Sequence, residues 1–116
     1  MQYLLLIYDA EKIWHDMPEA QTNQMLAEYG AFTNDIKKSG NHLAGEALQP
    51  ISTATTVRVR DGKIAITDGP FAETREQLGG FYLVEAKDLD EATKIAARIP
   101  SARLGSIEIR PIMKFS

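Results

Sequence analysis

The chain has no cysteine among its 116 residues. Disulfide staples, thiolate nucleophiles and cysteine-based zinc sites are therefore excluded. Histidine is almost as scarce. The two present, His15 and His42, do not form a His-x-x-x-His spacing, so no metal site is expected. No apolar run is long enough to span a membrane, since the opening Met1-Gln2-Tyr3-Leu4-Leu5-Leu6-Ile7-Tyr8 stops far short of the required length. That segment also lacks the basic flank and small-residue cleavage site of a secretory signal, and a cytoplasmic location is expected. Basic clusters are missing as well. The formal charge is −3, and Lys37-Lys38 is the only adjacent basic pair. Binding a phosphate backbone requires a clustered basic face, so no nucleic-acid partner is expected. At the end of a helix, that pair instead complements the helix dipole. Gly79-Gly80 precedes a strand and not a helix, which removes a nucleotide fingerprint. Ser52 and Ser106 lack the context of a nucleophile elbow. No cofactor is expected.

What remains is ordinary globular material. With 44% hydrophobic and 25% charged residues, the chain can build a core without staples. Its length predicts one domain, residues 1–116. Gln2 to Tyr8 is apolar on both alternations and predicts a central strand. Asp16-Met17-Pro18-Glu19 reads as a helix start, with Asp16 as cap, Pro18 in the first turn and Glu19 at the capping-box position. Met25, Tyr29, Phe32 and Ile36 then share one helix face, and Ser39-Gly40 ends the helix. His42 to Leu48 predicts a short strand. Thr53 to Arg60 and Lys63 to Thr67 are β-branched segments joined by Asp61-Gly62, a strong hairpin signal. Gly80 to Glu85 predicts another strand. A second helix follows, with a capping box at Asp88-Leu89-Asp90-Glu91 and a buried stripe of Leu89, Ala92, Ala96 and Ile99. Pro100 stops it. Ile107 and Ile109 alternate with Glu108 and Arg110 in a final strand.

The order β-α-β, hairpin, β-α-β predicts an α+β fold: a ferredoxin-like sandwich with an inserted β-hairpin. Two helices cover only one face of such a sheet. The other face most simply pairs with its copy, which makes a homodimer the expected assembly and a dimeric α+β barrel the expected architecture.

The densest chemistry lies in Asp68-Gly69-Pro70-Phe71, followed by Ala72-Glu73-Thr74-Arg75-Glu76-Gln77-Leu78-Gly79-Gly80. Gly69 supplies a backbone conformation closed to other residues, Pro70 fixes φ, and Phe71 is placed to plug the core. A carboxylate held at such a turn suits a general base or a ligand anchor, although Asp at a turn also commonly bonds the turn itself. Arg58 and Arg60 share one strand face, and Glu108 and Arg110 another. Arg58 or Arg110, aimed into a cleft, offers a planar fork for a carboxylate, a phosphate or Asp68 itself. His42 stands four residues before Glu46, which predicts that the two share a strand face.

The stretch from Asp68 to Gly80 resembles the signature of the YCII-related family, specifically its DGPF-motif branch. Weaker blocks extend the resemblance: Tyr3-Leu4-Leu5-Leu6-Ile7-Tyr8, Gly45-Glu46-Ala47-Leu48, Thr56-Val57-Arg58, Gly80-Phe81-Tyr82 and Glu108-Ile109-Arg110-Pro111. The resemblance implies a dimeric α+β barrel. It also implies a His–Asp catalytic dyad in the wider family, although the DGPF branch often carries an apolar residue where His42 stands. Two functions of different class follow. One is a cofactor-independent enzyme using acid–base chemistry on a small organic molecule. Its catalytic candidates are Asp68, Glu73, His42 and Tyr82, and its ligand-binding candidates are Arg58, Arg110, Glu46, Phe71 and Arg75. The other is a non-catalytic ligand-binding or accessory protein. Relatives of this branch are often associated with alternative sigma factors, which suggests a transcriptional setting. The residues alone identify neither the ligand nor the reaction.

Overall fold

A computed structural model describes residues 1–115. The apolar opening segment forms β1 (Gln2–Asp9), an inner strand of a four-stranded antiparallel sheet ordered β2-β5-β1-β6. The other three strands are β2 (His42–Ala47), β5 (Gln77–Glu85) and β6 (Ser106–Pro111). Helices α2 (Glu19–Lys38) and α3 (Leu89–Ala97) cover one face. Tyr3, Leu5 and Ile7 of β1 and Tyr82 and Val84 of β5 are buried there against Phe32, Ile36, Ala92, Ile95 and Ala96. The other face carries Leu4, Leu6, Tyr8, Phe81 and Leu83, all half-buried. The fold is thus α+β, and no helix among the described residues is long and apolar enough to cross a membrane.

Local chemistry explains most element boundaries. Asp88 caps α3, its side chain accepting from the amide of Glu91 at 2.9 Å. Ile95 takes the buried place expected for Leu89, which is exposed. Gly40 adopts φ +81° one residue beyond the Ser39 cap of α2, the left-handed step that ends a helix. The expected cap at Asp16 is not formed. Asp16 is instead the last residue of a short helix, α1 (Glu11–Asp16), and Pro18 caps α2 without a side-chain bond. A six-residue helix that buries no side chain and has no side-chain cap leaves little periodic signal to read.

The inserted hairpin, β3 (Thr55–Arg60) and β4 (Lys63–Asp68), forms a separate two-stranded ribbon. Asp61 and Gly62 both take positive φ, +52° and +73°, as a type I′ turn requires. Cross-strand pairs put Val57, Ile66, Val59 and Ile64 on one side and Arg58, Ala65, Arg60 and Lys63 on the other. Every ribbon side chain except Thr56 is exposed. The radius of gyration is 16.2 Å, against about 13 Å for a compact chain of this length.

Candidate functional site

A cleft of about 1080 Å³ opens between the helix-covered face of the sheet and the middle and C-terminal part of α2. Its walls include Ile7, Leu26 and Trp14, and Asp9 at the end of β1 is part of its lining. The alternation that buries Tyr3, Leu5 and Ile7 places Asp9 on the same face, only 6% exposed. The indole N–H of Trp14 donates to Asp9 Oδ2 at 2.9 Å. Asp9 Oδ1 has no donor among the described residues, which contain no fully buried side-chain N or O atom lacking a partner. This oxygen therefore keeps access to the cleft. Gly79 lies beside it, and a Cβ there would stand 3.7 Å from Oδ1. Gly79 is also the extra residue where the β1–β5 register shifts, because Ile7 pairs with Gly80 and Tyr8 with Leu78.

Two hydroxyl pairs also line the cleft. Tyr29 donates to Ser101 Oγ at 2.5 Å, joining α2 to the 3-10 turn Pro100–Arg103. Tyr82 and Thr33 share a bond of 2.7 Å. Burial raises the pKa of both phenols and keeps them protonated, and for Tyr29 the negative charge of Asp9 adds to that shift. The Tyr82 ring meets Phe32 edge-on at 5.2 Å and His42 at 6.2 Å between centroids. It lies over Gly45, where an added Cβ would come within 2.8 Å of Tyr82 Cδ1. The position must therefore be glycine for the ring to lie flat.

Chemically, this is a largely apolar cleft lined by the buried Asp9 carboxylate, two protonated phenols and the imidazoles of His15 and His42, with Glu11 and Glu46 also on its lining. Such a chamber suits proton transfer to or from a small bound molecule. A shallower depression of about 470 Å³ between α1 and the start of α2 contains no buried polar side chain. No cluster of three or more carboxylate and imidazole groups able to hold a metal occurs among the described residues.

Of the residues expected from the sequence, His42 and Tyr82 line this cleft. Glu46 borders it, but it pairs with Phe81 on the outer parity of the sheet. His42 and Glu46 do not share a strand face, contrary to the two-residue periodicity. A bulge between His42 and Ala44 inserts Leu43, so His42 pairs with the buried Val84 and Glu46 with Phe81. Arg110 lies on the outer face, 3.4 Å from Glu108. Asp68, Glu73 and Arg75 are exposed and line neither cavity. Gly69 takes the positive φ expected of it, +97°. Phe71, expected to plug the core, is instead 78% exposed, in the turn that follows β4. Arg58 stands on the ribbon side opposite Asp68, whose cross-strand partner is Thr55, so the two do not meet. Asp9, Trp14, Tyr29, Thr33 and Ser101 were not among the expected site residues.

The YCII-related domain matches residues 1–116, and the chain belongs to that family. It is 33% identical over 114 residues to an uncharacterised protein of Rhizobium meliloti (strain 1021), covering 97% of this chain and 92% of that protein. A solved structure of the 5-chloro-2-hydroxyhydroquinone dehydrochlorinase TftG from Burkholderia phenoliruptrix, in complex with 2,5-dihydroxybenzoquinone, superposes with a TM-score of 0.57. That match spans 97% of this chain and 94% of the other at 15% identity, a likeness of fold.

Proposed function

We propose that this protein is an enzyme that performs acid–base chemistry on a small organic molecule in the Asp9 cleft without a bound cofactor. The observation that carries the reading is Asp9 itself. It is a carboxylate withdrawn from water, held by one indole N–H, with its second oxygen free toward an apolar chamber. In this reading Asp9 is the base. Tyr82 and His42 supply and steady protons, because the Tyr82–Thr33 pair uses only one of its two hydroxyl protons internally. The fold shared with TftG, whose name describes removal of chlorine from a hydroxylated ring, adds support for a small hydroxylated ring as substrate. Asp68-Gly69-Pro70-Phe71 supports assignment to the DGPF-motif branch.

The antiparallel order β2-β5-β1-β6 supports a ferredoxin-like protomer. The apolar outer face and the exposed ribbon support pairing of two copies into a dimeric α+β barrel. Such an interface would bury well over ~1,000 Å². Asp68, Glu73, Arg75, Phe71, Arg58 and Arg110 enter the proposal only through this second copy. Light scattering at micromolar concentration should return twice the 12.9 kDa protomer mass, and a monomer mass would refute the assembly.

The enzyme reading is tested by following the absorbance of a panel of hydroxylated quinones and hydroquinones with the wild-type and Asp9→Asn proteins. Turnover should fall by roughly 10²–10⁴-fold in the variant, with the melting temperature retained. Undiminished turnover by a folded Asp9→Asn protein would remove Asp9 as the base. Binding without turnover of any probe would favour the accessory-protein alternative.

A further inference from the structure

The interior and the rim of the cleft carry opposite chemistry. Inside, Asp9 Oδ1 accepts hydrogen bonds and donates none, so its partner must bring an O–H or N–H. At the rim stand Lys12 and His15, one helical turn apart on α1, with Lys37 from α2, all three exposed. Neither these three residues nor Asp9 belong to any ion pair among the described residues. The acids near them are otherwise placed. Glu11 Oε2 accepts from the amide of Ile51 at 2.9 Å. Asp16 lies one turn beyond Lys12 without pairing with it, and Glu46 has the outer parity of β2. The cleft thus joins rim lysines that form no ion pair among the described residues to a recessed acceptor, with Ile7, Trp14, Tyr29 and Leu26 along its walls.

We infer that the ligand is a small organic acid that also carries a hydroxyl. Its hydroxyl donates to Asp9 Oδ1, and its carboxylate rests on Lys12 and His15. The inference rests on the cleft reading above and adds the class of molecule. An ammonium group would also satisfy Asp9, but it would have to enter past Lys12 and Lys37, neither of which belongs to an ion pair among the described residues. A neutral phenol would leave those cations unused. A hydroxylated acid answers both ends, and its ring or chain replaces water along the apolar walls.

The test is calorimetric titration of the full chain with 3- and 4-hydroxybenzoate, benzoate, phenol and tyramine. Trp14 is the only tryptophan, and its bond to Asp9 makes its emission a second readout. At least one hydroxybenzoate should bind roughly tenfold or more tightly than benzoate or phenol, since a hydrogen bond to a shielded charge is at stake. Asp9→Asn should bring the hydroxybenzoate down to the level of benzoate. Lys12→Met combined with His15→Asn should bring it down to the level of phenol. These rim positions are exposed, so that variant keeps the test open even if Asp9→Asn fails to fold. Tyramine or phenol binding best would overturn the ligand class and leave the cleft reading standing. Equal binding of benzoate and hydroxybenzoate would also overturn it. Failure of every probe to bind would overturn both.

Discussion

The bond between Tyr29 and Ser101 allows a quantitative check on how the cleft is held together. It spans 72 positions of sequence and ties α2 to the turn after α3. Ser101 is 1% exposed, whereas Tyr29 is only partly buried. Tyr29→Phe removes the donor and leaves a buried serine oxygen without it, which should cost about 1–3 kcal/mol. Ser101→Ala leaves the phenol hydroxyl beside the cleft, where water replaces the lost partner, and should cost about 1 kcal/mol. The double variant leaves no stranded group in the interior. Its cost should therefore fall short of the summed single costs by about 1 kcal/mol or more. In a chain of this length each kcal/mol corresponds to roughly 4 °C in Tm. Urea unfolding followed by Trp14 emission gives all three values. Strictly additive costs would show that the two hydroxyls contribute independently, and would refute the account of the cleft wall.

Three further outcomes are expected. Gly80→Ala should lower the urea midpoint by about 1–3 kcal/mol of stability, because its Cβ would lie 2.7 Å from the main-chain oxygen of Glu46; an unchanged midpoint would contradict the close approach of β2 and β5. Gly62→Val should cost the ribbon about 1–3 kcal/mol by forcing a β-branched residue to positive φ. Faster amide exchange in β3 and β4 would register this loss, and unchanged protection would refute it. The third concerns alkaline pH. Tyr29 and Tyr82 have native pKa values above the ordinary 10.0. Above about pH 10 the unfolded chain loses those protons first, so the native state binds more protons and stability falls as pH rises. Below pH 10 the two phenols add no slope. Tyr29→Phe and Tyr82→Phe should each flatten the alkaline decline, and an equal slope in both variants and wild type would assign it to other groups.

The fold could be read from the sequence wherever one signal acted alone. Asp61-Gly62 between β-branched segments gave the ribbon and its turn, and Asp88 with Glu91 gave the start of α3. Reading failed where a local irregularity overrode a period. The bulge at Leu43 reversed the parity of β2 and separated His42 from Glu46. Asp16 looked like a cap because nothing periodic marked the short helix it closes. Phe71 looked like a core residue because its aromaticity was visible and its exposed place in the turn after β4 was not.

The site was missed for a different reason. Asp68, Glu73, Arg75 and Glu76 drew attention by their density, yet charges close together in sequence are stable in water without any partner, and three of these four are exposed. Asp9 stands alone at the end of an apolar strand. The alternation Tyr3, Leu5, Ile7 extends to it without a break, so the available signal was a carboxylate on the buried parity of β1. Burying such a group costs free energy unless something binds it. Trp14, five residues later, satisfies one oxygen and leaves the other open. A single charge on a strand's buried parity therefore points to function more strongly than a dense charged turn, because the first needs a partner and the second needs only solvent.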